Sequence, residues 1–82
     1  MKIYVGNLNF RTSESDLKKL FETHGAVSDS KIIIDKINGR SKGFGFITMD
    51  DNSEAQKAIN ELNGYSLESR KITVNEARPT NY

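Results

Sequence analysis

The chain of 82 residues contains no cysteine and no tryptophan, and only one proline. Without cysteine it can form neither disulfides nor thiolate metal sites, so packing alone should stabilise the fold, and we expect no metal or cofactor. This composition fits a reducing, intracellular environment, and we predict a cytoplasmic protein. No apolar run approaches the roughly 20 residues that span a bilayer, so no membrane partner is expected. The length allows a single domain with a modest core.

The chain also lacks a strong excess of either charge, with 12 Lys and Arg residues, 11 Asp and Glu residues and a net charge of +1. Bulk charge therefore gives no argument for a nucleic-acid partner. The distribution is uneven, because Lys31, Lys36, Arg40 and Lys42 lie close together in a stretch whose single acid is Asp35. This segment is either an ordinary solvated loop or the cationic border of a binding surface.

Residues 42–49, with the sequence KGFGFITM, are the most informative segment of the chain. Strand side chains alternate between two faces, so Phe44 and Phe46 would share one face while Ile47 and Met49 share the other. Two exposed rings beside Lys42 would suit a flat, negatively charged polymer, which is a description of single-stranded nucleic acid. In the alternative, the two phenyl rings are buried in the core and the aliphatic side chains face outward.

The hydrophobic periodicity of the whole chain predicts the element order β-α-β-β-α-β. Strands are expected at residues 2–6, 27–35, 42–49 and 70–75, with helices between residues 13 and 25 and between residues 53 and 64. Ser13 is the expected N-cap of the first helix and Gly25 its expected stop. The run Asp50 to Ser53 is expected to cap the second helix, and Asn38-Gly39 predicts a hairpin. We therefore predict an α+β, ferredoxin-like sandwich: a four-stranded antiparallel sheet with two helices on one face.

Each predicted helix carries a single apolar stripe, so both helices should cover the same face of the sheet. The consistent register leaves Tyr4, Phe44 and Phe46 on the open face. The opposite register would bury Lys2 and Lys71 without partners, which costs more than the exposure of two phenyl rings. The covered face is then expected to hold Ile3, Val5, Ile47, Met49, Ile72 and Val74 beneath Leu17, Leu20, Phe21, Ala58, Ile59 and Leu62.

Residues 42–49 resemble the RNP1 octapeptide K/R-G-F/Y-G/A-F-V-x-F/Y of the RNA recognition motif family, and residues 3–8, IYVGNL, resemble its RNP2 hexapeptide. Met49 departs from the final aromatic position of RNP1. The resemblance implies one RNA recognition motif domain over residues 1–78, a short tail over residues 79–82, and binding of single-stranded RNA. Because Met1 opens almost directly onto the first strand, the chain looks most like the small stand-alone bacterial or organellar type, and an excised domain would look the same.

The resemblance also implies which side chains meet the RNA. Tyr4 and either Phe44 or Phe46 would stack on two successive bases, while the remaining Phe would pack against the sugars between them. Stacking tolerates any base, so the rings alone give affinity with little sequence preference. Lys42 would contact a backbone phosphate, and Arg40, in the loop before it, would assist.

Further contacts are implied at the borders of the sheet. Lys2 and Lys71 are either additional cationic contacts or simply solubilising charges. Asn7 either holds a local turn or contacts the RNA. Residues 75–78 would run along the exit of the last strand from the sheet. There, Asn75 and backbone groups such as those of Ala77 would read base edges, and Arg78 would cover the strand.

Three other functions are compatible with the same fold. An enzyme is disfavoured, because the only histidine, His24, lies on the apolar stripe of the first predicted helix and the chain has no cysteine or Walker loop. A protein-interaction module of this family would generally have degraded aromatic positions, whereas all three are filled here. Single-stranded DNA is a further alternative partner, since rings and cations do not require a 2′-hydroxyl. A monomer is expected by default.

Overall fold

The computed structural model describes residues 1–77, in which it places six strands and two helices. In chain order these are β1 (Lys2–Gly6), α1 (Glu14–Glu22), β2 (Asp29–Ile34), β3 (Ser41–Thr48), α2 (Asn52–Leu62), β4 (Ser66–Leu67), β5 (Arg70–Lys71) and β6 (Thr73–Glu76). The strands β2, β3, β1 and β6 form one antiparallel sheet in that order, with β1 and β3 in its centre. The predicted ferredoxin-like fold, with its four-stranded sheet, is confirmed.

The predicted last strand over residues 70–75 is divided in two. Arg70–Lys71 (β5) pairs with Ser66–Leu67 (β4) as a separate two-stranded ribbon, and the sheet strand β6 begins only at Thr73. The ribbon turns through Glu68 and Ser69, whose φ angles are +49° and +70°. Positive φ at both central residues is the geometry of a type I′ hairpin. Neither residue is a glycine or an asparagine, so the sequence carried no strong signal for this turn.

Helix α1 begins as predicted, at a capping box formed by Ser13 and Asp16. The Ser13 hydroxyl accepts a hydrogen bond from the Asp16 N–H at 3.1 Å, and the Asp16 carboxylate accepts one from the Ser13 N–H at 3.2 Å. The pKa of Asp16 is lowered first by the hydrogen bond that its carboxylate accepts from the Ser13 N–H and second by the interaction of the carboxylate with the Ser13 hydroxyl. The helix ends at Thr23, whose hydroxyl donates to the Leu20 carbonyl at 2.6 Å, and not at Gly25 as predicted.

Helix α2 is capped by Asp51, which belongs to the run Asp50 to Ser53 that is predicted to cap it. The Asp51 carboxylate accepts a hydrogen bond from the Glu54 N–H at 3.0 Å, so the helix begins at Asn52. Asp51 comes first along the chain and supplies the required acceptor, which leaves Ser53 inside the first turn. Within residues 1–77, neither helix has the length and apolar character needed to cross a bilayer.

The core lies between the two helices and one face of the sheet. All six strand residues predicted for the covered face are buried, and of the predicted helix residues all but Leu20 are buried. Leu20 packs at the edge of the core and is partly exposed. Periodicity cannot assign the isoleucines of β2 to a face of the sheet. In the structure Ile32 is buried and Ile34 is 48% exposed, and the pairing of β2 with β3 shifts its register between these two residues. The predicted assignment of the two sheet faces is therefore confirmed.

Candidate nucleic-acid interface

Three aromatic rings stand together on the face of the sheet that the helices leave open. Tyr4 of β1 and Phe46 of β3 are cross-strand partners, and Phe44 lies two residues before Phe46. The ring centroids are 5.9 Å apart for Tyr4 and Phe44, 6.0 Å for Tyr4 and Phe46, and 6.2 Å for Phe44 and Phe46. All three side chains are partly exposed. We call these three residues the ring platform.

The rings of the platform differ in orientation. The planes of Tyr4 and Phe44 are 31° apart, so these two rings present their faces in similar directions. Phe46 is edge-on to both, with interplanar angles of 66° to Tyr4 and 89° to Phe44. The ammonium of Lys2 lies 4.7 Å from the centroid of the Phe46 ring, within cation–π range. Two rings are thus available to flat groups, while the third is already covered by a cation.

Two glycines give the platform its shape. The Tyr4 ring lies over Gly6, so β1 has a residue without a side chain where the ring rests. Gly45, between the two phenylalanines of the platform, lets β2 approach closely, since a Cβ at this position would collide with the backbone carbonyl oxygen of Lys31. The alternation of glycine and phenylalanine in β3 therefore serves both the exposed rings and the pairing of the strands.

The cross-strand register places polar residues on both sides of the rings. Lys31 of β2 pairs with Phe46, and Asn75 of β6 pairs with Tyr4 on the other side. Both side chains are exposed. Asn75 therefore lies beside the platform as predicted. Sequence reasoning included Lys31 in a cationic cluster but did not identify it as a site residue, because its position beside a ring depends on the exact register of the hairpin.

Beyond Asn75, the backbone of Ala77 continues along β1. The Ala77 N–H donates a hydrogen bond to the Lys2 carbonyl at 2.9 Å, so the chain remains at the border of the sheet at this point. Ala77 is partly buried. Arg78, the last residue predicted for the site, lies outside the described residues.

Asn7 and Lys71 do not join the platform. Asn7 follows β1 with a φ of +57°, and its amide makes two hydrogen bonds to β5. The amide nitrogen donates to the Lys71 carbonyl at 2.7 Å, and the amide oxygen accepts from the Arg70 guanidinium at 2.7 Å. These bonds tie the end of β1 to β5 through Asn7, and contact of Asn7 with RNA stays a prediction. Lys71 belongs to β5, outside the four-stranded sheet, so its predicted position on the last sheet strand is wrong.

Arg40 and Lys42 lie at the end of the sheet where β3 begins, and both side chains are exposed. Together with Phe10, from the loop between β1 and α1, they line a cleft of about 230 Å³. Phe10 is 67% exposed. Sequence reasoning missed this ring, because the loop that carries it has no periodicity that would assign it to a face. The only available signal was a large apolar residue between polar neighbours.

The sequence matches the family described as "RNA recognition motif" over residues 3–73. Among curated proteins, the chain is 47% identical over 76 residues to the 29 kDa chloroplastic ribonucleoprotein of Arabidopsis thaliana and 48% identical over 77 residues to glycine-rich RNA-binding protein 8 of the same plant. These alignments cover 93% and 94% of the chain but only 22% and 46% of the two relatives. The chain thus spans less than half the length of either relative.

Solved structures agree with these matches. The crystal structure of RNA binding protein PG1 superimposes with a TM-score of 0.92 and 48% identity, covering 98% of this chain and 99% of that one. The structure of the Rna15 RRM with bound RNA (GU) superimposes with a TM-score of 0.85 and 30% identity, covering 99% of this chain and 86% of that one. Family match, identity and fold agree over nearly the whole chain, which therefore belongs to the RNA recognition motif family.

Proposed function

We propose that this protein binds single-stranded RNA across the ring platform. The observation that carries this proposal is the cluster of Tyr4, Phe44 and Phe46, three partly exposed rings within 6.2 Å of one another on an open sheet face. Exposed rings lose the free energy that burial would give them, and stacking on bases is the interaction that recovers it. RNA-binding names among the relatives, and a bound RNA in one similar structure, support RNA as the polymer.

The ring orientations support a specific division of roles. Tyr4 and Phe44, with planes 31° apart, stack on two successive bases. Phe46 stands edge-on to both rings beneath the Lys2 ammonium, and it packs against the sugar between those bases. Of the two alternatives left open by the sequence, this geometry favours Phe44 as the second stacking ring. The Lys2 ammonium is then positioned for the phosphate that joins the two nucleotides.

Polar groups at the borders of the platform complete the proposed site. Lys31 and Lys42 supply positive charge along β2 and β3, and Arg40 adds to it from the preceding loop. On the opposite side, the Asn75 amide and the backbone at Ala77 contact base edges, and a contact of Arg78 with the RNA belongs to the same proposal. Two stacked bases and a few phosphates correspond to a dissociation constant on the order of micromolar and a shallow dependence on salt.

We propose that residues 1–78 form the binding domain and that residues 79–82 are a tail, in keeping with a family match over residues 3–73. The protein acts as a monomeric binding module and not as a catalyst. A cytoplasmic location is part of the same proposal, although the name of one relative includes "chloroplastic", so an organelle is the alternative.

The test is an NMR titration of the ¹⁵N-labelled protein with a short mixed-sequence RNA and with DNA of the same sequence. We expect the largest shift changes at Tyr4, Phe44, Phe46 and Asn75, while the amides on the outer faces of α1 and α2 remain unchanged. DNA should bind more weakly than RNA. Changes confined to the helices would contradict binding at the platform, and an absence of shift changes would favour a protein-binding module. Equal affinity for DNA would make the protein a general single-strand binder.

A further inference from the structure

A groove runs beside the edge strand β2 and lies outside the ring platform. It has a volume of about 710 Å³ and is lined mainly by Phe10, Arg11, Thr12, Ile32, Ile34 and Arg40. Ile32 belongs to the core between the helices and the sheet, so the groove lies towards the helix side of β2. Within residues 1–77, no residue of the ring platform lines it. RNA stacked on the rings would therefore leave the groove open to a second partner.

The groove exposes apolar side chains from two distant segments of the chain. Phe10, in the loop between β1 and α1, is 67% exposed, and Ile34, at the end of β2, is 48% exposed. The pairing of β2 with β3 shifts its register between Ile32 and Ile34, and both isoleucines line the groove. An aromatic and an aliphatic side chain exposed together in one concave surface are typical of a protein-interaction site.

All charged side chains that line the groove, among the residues that the structure describes, are cationic. They are Arg11 and Arg40, and both are exposed. A guanidinium can bind a carboxylate through two parallel hydrogen bonds. The groove therefore complements a segment in which Asp or Glu stands close to a large apolar residue.

Contacts of Glu14 with β2 argue against a second copy of this chain as the occupant. The Glu14 carboxylate accepts a hydrogen bond from the Ile32 N–H at 2.9 Å, and the Glu14 carbonyl accepts one from the Ser30 hydroxyl at 2.9 Å. Helix α1 thus covers this part of the edge of β2, and the Ile32 N–H is engaged and cannot pair with an added strand. Docking in the groove is left to the side chains of a partner.

We propose that this groove docks a protein partner, through a short segment that places an apolar side chain between Phe10 and Ile34 and a carboxylate against Arg11. The β2 wall of the groove is aliphatic, which suits an apolar side chain better than a base that binds by stacking. The volume is within the roughly 300–1,000 Å³ of ligand sites and admits a few side chains. This inference goes beyond RNA binding, because it makes the protein a link between RNA and a second protein.

A selection of peptides displayed on phage tests the stated chemistry directly. The probe is a random library of twelve-residue peptides, selected on the wild-type protein in the absence of RNA. We expect the enriched peptides to carry Asp or Glu within a few positions of a large apolar residue. The most enriched peptide is then synthesised with a fluorescent label, and its affinity for the protein is measured by anisotropy.

Two variants alter the groove without changing the ring platform. Arg11→Glu and Ile34→Ser should each weaken binding of the labelled peptide about tenfold or more, as for residues at the centre of an interface. The matched controls are Lys57→Glu, a charge reversal on α2, and Ile37→Ser, at a 96% exposed position of the β2–β3 hairpin outside the groove. Both controls should bind the peptide as the wild type does. An ¹⁵N spectrum verifies each fold, and Arg11→Glu, which alters no core residue, decides the test if Ile34→Ser is unfolded.

Three results would reject the docking site. They are a selection that enriches no peptide, enriched peptides that lack the acidic and apolar pair, and a peptide that binds both groove variants as tightly as the wild type. A loss of RNA affinity in Ile34→Ser would assign the groove to RNA, and a wild-type dimer that Ile34→Ser dissociates in sedimentation would assign it to a second copy; each result overturns the inference. Because the selection contains no RNA, its outcome is independent of the proposed function.

Discussion

The ring of Tyr4 lies across the backbone of Gly6, two residues farther along the same strand. A Cβ at Gly6 would be 2.5 Å from the Tyr4 hydroxyl oxygen and 2.8 Å from two of its ring carbons. The position of the ring therefore depends on the missing side chain of its neighbour. The RNP2-like segment provides a ring together with the space that the ring occupies.

The first prediction concerns Gly6→Ala. The added methyl group should displace the Tyr4 ring, because the atoms it meets are the far end of a side chain that can turn away, while the strand backbone stays in place. We expect affinity for a short single-stranded RNA to fall about tenfold, on the order of one stacked base. Thermal unfolding should change little. Fluorescence anisotropy and a melting curve provide the two measurements.

A double-mutant cycle with Tyr4→Ala is the control for this effect. If Gly6→Ala acts through the ring, it should cause no further loss of affinity once the ring has been removed. Additive losses from the two substitutions would contradict the account and indicate that Gly6 contributes to binding by another route.

The second prediction concerns the charge of Lys42. We expect Lys42→Met to weaken RNA binding and to reduce the slope of log K against log salt by about 1, as for the loss of one phosphate contact. Lys57→Met is the matched control, since this exposed lysine lies on α2, on the side of the sheet away from the rings. An unchanged slope for Lys42→Met, or an equal change for Lys57→Met, would show that Lys42 does not contact the backbone of the RNA.

The third prediction concerns the stability of the sheet. A methyl group at Gly45 would collide with the Lys31 carbonyl oxygen of the neighbouring strand, and this backbone cannot turn away. We expect Gly45→Ala to lower the free energy of unfolding by about 1–3 kcal/mol in urea denaturation. Gly39→Ala, where the space around the added carbon is open but φ is +69°, should have a smaller effect. A larger effect at Gly39 would refute the close approach of the strands.

The fourth prediction concerns the capping box of α1. Ser13→Ala should lower the free energy of unfolding by about 1 kcal/mol, as for the loss of an N-cap hydroxyl. Because the Ser13 hydroxyl helps to lower the pKa of Asp16, NMR titration of the variant should show that pKa moved up towards 3.8. An Asp16 pKa that the substitution leaves unchanged would show that the Ser13 backbone N–H, and not the hydroxyl, lowers it.

The lowered pKa of Asp16 also gives a pH dependence. A carboxylate whose pKa is lower in the folded state stabilises that state fully above its unfolded pKa, and this contribution is lost as the pH falls through the folded pKa. The stabilisation should therefore be present at neutral pH and disappear below about pH 4. The stability difference between Asp16→Asn and the wild type should shrink over the same interval.

The sequence was sufficient to orient the rings. The argument depends on Lys2 and on the alternating aliphatic residues of β1 and β3, since buried unpaired charge is more costly than an exposed phenyl ring. Ile3 and Ile47 are buried and Tyr4 and Phe46 are on the open face, as this comparison of the two free-energy costs predicts. These positions are strictly periodic, and periodicity is the feature of a strand that a sequence displays directly.

The irregular parts of the site could not be predicted in the same way. The sequence pattern predicts Lys71 within the last sheet strand, because the turn at Glu68 and Ser69 contains no glycine to mark it. Phe10 lies in a loop, where its surroundings depend on which distant segment packs beside it. The pairing of Lys31 with a ring depends on the hairpin register, which local composition does not determine.

The most direct test of the central claim is the affinity of the double variant Phe44→Ala, Phe46→Ala for a short single-stranded RNA, with the fold verified by circular dichroism and an ¹⁵N spectrum. Two of the three rings are lost while the buried residues of β3 remain, so the account predicts a folded protein whose binding is undetectable. Tyr65→Ala, the matched loss of an exposed ring outside the platform, should bind as the wild type does. A folded double variant that retains the wild-type dissociation constant would contradict RNA binding by the ring platform.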